Sequence, residues 1–243
     1  MNDMNPELLA SIAKYGQMAA TGLVGLGVLV LLGHLIKLMI TNEYKAKYDY
    51  INMFEIKFLW IASVMLISAG AVFANTLVSE SSIVSFFVRL FVSVMFAIIA
   101  GVIIQNILKF YYPFYIEKRL KFLRFEPRTS PDGRKMRLLS EEEEDVYLDE
   151  GMQAEETAFS IDYDVWLDEE SGHTHIEKYN GRLTALKCSE CNYQTLKVTN
   201  EEIVQSPTVD EEGELMKHYT CGYCAHKERK SFSIAKLRQE QPA

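Results

Sequence analysis

The chain has 243 residues, a formal net charge of −8 and a mean hydropathy of −0.02. Up to Tyr112, seven Lys/Arg face six Asp/Glu; from Pro113 onward, 18 face 27. So uneven a split excludes one uniform soluble globule and implies two environments, lipid and water. A polar tail of about 130 residues has room for one small domain plus linkers.

In chain order, residues 1–16 are mixed and lack the basic leader of a signal peptide. The apolar run Met18–Ile40 therefore reads as a retained first span, with a cleaved signal peptide as the minor alternative. It is rich in small residues (Ala19, Ala20, Gly22, Gly25, Gly27, Gly33), which permit a close helix–helix seam. His34 near its end is expected to be a packed or interfacial residue. Thr41–Glu55 reads as a polar loop, with Lys45, Lys47 and three tyrosines suited to the headgroup region. Phe58–Val78 is the second span, Ser79–Ser82 a tight polar turn, and Ile83–Ile104 the third span, extended as helix to Tyr112. The 41–57 loop and the segment after Tyr112 are basic, whereas the turn has no Lys or Arg. The positive-inside rule then puts the N-terminus outside and the tail in the cytoplasm. Compact size suggests a bacterial inner membrane.

The third span carries a stripe at every fourth position: Ser85, Arg89, Ser93, Ala97, Gly101 and Gln105. Arg89 is close enough to the span's start to snorkel to the interface. The alternative is that this face meets a partner, with Arg89, Ser93, Ala97, Gly101 and Gln105 as the contact. The three spans contain no Asp or Glu, so a deeply placed carboxylate for Arg89 would come from another subunit.

Lys109–Arg137 holds nine Lys/Arg and three Asp/Glu, interleaved with aromatics, a composition that anchors to anionic lipid headgroups. The acidic tail beside it argues against nucleic acid. Pro113 is expected to kink the emerging helix, and Ser130-Pro131-Asp132-Gly133 is a turn signal. Leu138–Glu170 has no Lys or Arg. Ser140 and Glu143 fit a capping box, and Gly151 is expected to weaken or end the helix. The run reads as a solvated acidic helix; an acidic docking face or divalent-cation site is the alternative. Ser160–Leu167 alternates as a strand does, Asp168–Gly172 is a turn, and His173–Glu177 reads as the returning strand. His173 and His175 share a strand face, but no third ligand is indicated.

The one specific chemical signal is Cys188-x-x-Cys191 and Cys221-x-x-Cys224, with 29 residues between the pairs. Four thiolates make a closed tetrahedral zinc site with no position left for substrate. Asn192 can supply the left-handed backbone that such a knuckle needs. Tyr193–Val198, Glu214–Thr220 and Lys230–Ile234 read as strands, with a turn at Asp210–Gly213. The expected fold is thus three transmembrane helices (residues 1–112), a juxtamembrane linker (113–159) and a small β-rich zinc ribbon (160–243). A redox dithiol pair, or a disulfide framework if the topology is inverted, is the rival reading of the cysteines. His218 and His226 lie near enough in sequence to be substitute ligands.

Ser160–Trp166 ahead of the C-x-x-C ribbon resembles the C-terminal portion of some bacterial TPM-domain membrane proteins. The resemblance covers residues 140–226 at most. Leu167–Gly172 stand where that pattern has a further cysteine knuckle, and the TPM domain itself is absent, so no activity carries over. The chain shows no Gly-rich phosphate loop, nucleophile elbow or H-E-x-x-H. The expectation is a non-catalytic scaffold or accessory subunit that binds other membrane subunits and recruits a partner through the ribbon. A transport component, with the Ser85–Gln105 stripe lining a path in a homo-oligomer, is the alternative.

Overall fold

The computed structural model describes residues 5–77 and 82–237. The turn expected at Ser79–Ser81 lies outside them. The chain divides into two compact units, residues 1–126 and 127–243.

The first unit is helical. α1 (Pro6–Ile40) starts where the Asn5 side chain accepts from the Glu7 N–H and Pro6 takes the first turn. α2 is Tyr44–Ala74 and α3 is Ile83–Asn106. A π-helical turn, Ile107–Tyr111, leads into α4 (Tyr112–Phe125). Pro113 has no N–H to offer the carbonyl of Lys109, and the chain absorbs the defect in that widened turn, where the Tyr112 N–H bonds back to Ile107. Three of these helical stretches, Glu7–Ile40, Tyr44–Ala74 and Ile83–Phe125, are long and apolar enough to cross a membrane.

α1 and α2 meet along a regular seam. Gly16, Ala20, Gly27 and His34 of α1 face α2, where Glu55, Ala62 and Ala69 are fully buried. Steps of four and seven residues are those of left-handed helix pairing. The small-residue seam is narrower than expected. A Cβ on Gly27 would touch Leu66 and the Ala62 carbonyl, but Gly22, Gly25 and Gly33 face open space.

The polar loop expected at Thr41–Glu55 is not a loop. Only residues 41–43 are non-helical, and α2 begins at Tyr44. Tyr44, Tyr48, Ile51 and Glu55 recur every three or four residues, so one face of this stretch packs inward with Ile116, Leu120 and Leu123 of α4. Thirty-one residues of α2 are roughly 46 Å long, more than the roughly 30 Å of a bilayer core.

The second unit begins at Pro127, so residues 113–159 are not a linker: 113–125 belong to α4, and the rest is packed structure. The 130–133 turn forms as expected, with Gly133 at φ 81° and the Gly133 N–H donating to Ser130. β1 (Arg137–Leu138), β2 (Ile161–Leu167) and β3 (Thr174–Asn180) form one antiparallel sheet. α5 (Glu141–Glu144) and α6 (Glu150–Thr157) lie between β1 and β2 in sequence. Leu139, Leu148, Ile161, Tyr163 and Val165 make the core under them. The opposite face of the sheet is closed by Arg128. Its guanidinium lies 4.7 Å from the Trp166 ring and makes two hydrogen bonds, 2.7 and 2.8 Å, to the buried Glu177. A second antiparallel sheet, order β4-β5-β6, contains β4 (Leu196–Gln205), β5 (Gly213–Cys221) and β6 (Lys227–Ile234). Residues 160–180 thus belong to the first sheet and not to the cysteine-bearing one.

Candidate metal centre and buried polar cluster

Two knuckles bring the cysteines together. In the first, the Cys188 N–H donates to the Tyr193 carbonyl at 2.9 Å; in the second, the Cys221 N–H donates to the His226 carbonyl at 2.8 Å. The residue after each second cysteine is left-handed: Asn192 at φ 66° and Ala225 at φ 60°. Asn192 is legible in the sequence because Asn tolerates that region; Ala225 carries no such signal. The four Sγ atoms lie within 4.8 Å of one another, and the Cys188–Cys224 and Cys191–Cys221 pairs are each 3.7 Å apart. These are non-bonded distances, and all four cysteines are free thiols. The cluster could hold one metal ion.

The local field favours one thiolate in particular. Burial pushes the Cys221 thiol up, but hydrogen bonds from Thr195 and from the Cys224 and Tyr223 backbone outweigh it and bring the group to about 6. Cys191, without such donors in number, is pushed up to about 12, first by burial. His226 contacts Ser189 and His218 lies 3.7 Å from Glu202, so neither joins the four sulfurs. Among the described residues, His173 and His175 also join no ligand cluster.

The acidic run supports this centre. Glu155 of α6 is 1% exposed and accepts hydrogen bonds from the Tyr163 hydroxyl, the Lys178 ammonium and the Gln194 N–H beside the first knuckle. Gly151 does not end its helix: α6 runs through it. A Cβ there would come within 2.1 Å of the Tyr193 ring, whose hydroxyl donates to Asp149. Glycine at 151 is what lets the knuckle seat on α6. The capping box is present, with Glu143 accepting from the Ser140 N–H at 3.0 Å.

Glu141, Glu144 and Glu156 come close together at the start of this run. Burial first, then the neighbouring carboxylates Glu156, Glu141 and Asp164, push Glu144 up to about 7 despite a bond from the Val165 N–H; Glu156 is raised as well. A carboxyl raised on folding disfavours the folded state when it ionises, so its protonation adds stability as pH falls from above 7 toward 4.5. Glu143 at about 2 and the depressed Asp168 lose their contribution only in stronger acid. The second unit should therefore gain about 1–3 kcal/mol between pH 8 and 5.5 from Glu144. Glu144→Gln should remove that part of the pH dependence. The difference between variant and parent unfolding curves isolates the carboxyl from acid release of a metal.

The helical unit holds a polar cluster that residue-by-residue reading of the sequence does not reveal. Glu55 is 1% exposed. Its Oε1 accepts from the Tyr112 hydroxyl and from Arg119 Nη1, both at 2.6 Å. Its Oε2 has no hydrogen-bond partner, and His34 Nε2 lies 3.8 Å away. His34 is packed, 5% exposed, with Nδ1 3.1 Å from the Tyr50 hydroxyl and its ring stacked on that of Tyr50. One carboxylate thus ties α1, α2 and α4.

The stripe on α3 faces α2 of the same chain over much of its length. Arg89, Ser93 and Ala97 line a groove of about 430 Å³ against Gly70, Ala71 and Ala74, and Asn75 Nδ2 donates to Ser93 Oγ at 2.5 Å. Gly101 borders a neighbouring groove, and Gln105 is exposed. Comparison with protein-family models, curated proteins and solved structures finds no match.

Proposed function

We propose that the protein is a three-span membrane adaptor, set in a bacterial inner membrane with its N-terminus outside. Its cytosolic second unit is built on one structural zinc ion and recruits a partner. The observation that carries this reading is the closed cysteine cluster. Thiolates about 2.3 Å from a tetrahedral zinc sit about 3.8 Å apart, and the two 3.7 Å sulfur pairs match that spacing. Such a site holds a fold together and presents no open coordination position, which favours a binding module over an enzyme. The basic 109–137 segment, next to the helices, suits anionic headgroups on the cytosolic side.

The test is native mass measurement after gentle detergent extraction from the protein's own membranes, with elemental analysis of the same sample. One zinc per chain in a hetero-complex is the expected result. A metal-free chain, or a C-terminal phosphatase fusion that is active outside the cell, would overturn the zinc or the topology. A clean homo-oligomer would instead favour a transport path along α3. Against that path stands the hydrogen bond that commits Ser93 to Asn75 within one chain. Gln105→Ala, at the exposed end of the stripe, separates the two readings: it should weaken subunit association and leave ion flux at background.

A further inference from the structure

We propose that the face of the β4-β5-β6 sheet opposite the cysteine knuckles is a binding site for a phosphate group. Leu196 and Cys221 pair across β4 and β5 and both lie in the buried cysteine cluster. Side chains alternate along a strand, so the next row, Lys197, Thr220 and Lys227, points to the other face. The row beyond it is Asn200, His218 and Arg229. A register shift between Val198 and Asn200 breaks the regular pairing there, and a concavity of about 440 Å³ opens over His218, Thr220, Lys227 and Arg229.

Three cations of this face are left for a ligand, whereas His218 beside them lies 3.7 Å from Glu202. Among the described residues, Lys197, Lys227 and Arg229 have no carboxylate within 4.0 Å, although the tail they belong to is acidic. The cations of the opposite face are paired: Lys217 with Glu201 at 2.7 Å and Lys230 with Glu228 at 3.6 Å. Glu228, the acid between Lys227 and Arg229 in sequence, is held by the Ser189 hydroxyl and N–H beside the first knuckle. An Arg and two Lys with hydroxyl and amide donors between them match a compact dianion with several acceptor oxygens. The surrounding carboxylates (27 Asp/Glu against 18 Lys/Arg from Pro113 onward) repel an extended polyanion and leave room for a single phosphate group. That group can belong to a soluble phosphate compound or to a lipid headgroup.

The full chain, metal-loaded and held in phosphatidylcholine nanodiscs, is titrated calorimetrically with inorganic phosphate at fixed ionic strength, with chloride as control. Saturable phosphate binding is expected. Lys227→Gln with Arg229→Gln should weaken it on the order of tenfold or more, and Lys217→Gln on the opposite face should not. Metal content is measured on each variant, so that failure of the zinc reading is seen separately from failure of this one. Discs containing phosphatidic acid separate the two sources. Competition that needs Arg229 assigns the site to a headgroup; unchanged phosphate affinity assigns it to a soluble compound. Binding that does not saturate, that chloride reproduces, or that survives the double substitution would overturn the proposal.

Discussion

Cys188→Ser should release the metal and open the second unit while the protein stays in the membrane fraction. Cys188 is fully buried, and with Leu196, Tyr219 and Cys221 it forms the small core of the knuckle region. Of the β4 residues after Lys197, none is buried. A sheet this exposed has little apolar area to hold it, so on the proposed reading a bound ion would supply the free energy that a core supplies elsewhere. Structural zinc contributes roughly 10–16 kcal/mol in small folds, far more than this sheet can replace. Limited proteolysis of the detergent-solubilised protein should show cleavage within residues 188–234 faster by on the order of tenfold or more. The first sheet should resist longer, because the Leu139–Val165 core and the Arg128–Glu177 pair do not depend on the sulfurs. A Cys188→Ser chain with the parent's digestion pattern would exclude a structural metal and return the cysteines to redox chemistry.

Gly151 and Glu155 extend this expectation to residues that never touch the metal. Gly151→Ala puts a methyl group where the Tyr193 ring lies, and neither the ring nor α6 can yield without moving the first knuckle. Metal affinity should fall with no ligand altered, which a competition titration with a chelator would read.

What was legible in the sequence follows the range of the interactions. The apolar helices, the 130–133 turn, the strand at Ile161–Leu167 and the two knuckles are encoded locally, by composition or by spacing within about five residues. The C-x-x-C pairs announce themselves because each one is a complete turn. Glu55 gave no such signal. Its partners Tyr112 and Arg119 are 57 and 64 residues away, and in sequence it sits among lysines and tyrosines that resemble a headgroup loop. Only the three-to-four spacing of Tyr44, Tyr48, Ile51 and Glu55 hinted that this stretch is helical and faces inward. The acidic run misled in the same way. Without partners in view, Glu144 and Glu155 look solvated, yet both are buried and bonded to β2, to β3 or to the first knuckle.

Arg119→Met should be the most damaging single change in the helical unit. Glu55 is closed off by α1, α2 and α4, with His34 5% exposed beside it, and an ionised carboxylate there needs its cation. Removing the cation leaves this buried carboxylate with its desolvation penalty and less to offset it; because Arg119 is itself half-exposed, the cost falls below the about 3–5 kcal/mol of a fully buried pair. Glu55→Gln should cost less. Arg119 is 46% exposed in its side chain and can turn to water or headgroups once its acceptor is neutral. Tyr112→Phe removes one hydrogen bond to a charged acceptor and should cost about 1.5–3 kcal/mol. The Arg119→Met, Glu55→Gln double variant should recover part of the Arg119→Met loss, since no bare charge is left inside. Unfolding in mixed micelles, followed by helical circular dichroism, gives the four values, and the double-mutant cycle gives the coupling. Additive losses would mean that Glu55 and Arg119 do not act as a pair. Strong coupling would make this carboxylate the latch that holds α4, and so the point where the chain leaves the helices, against α1 and α2.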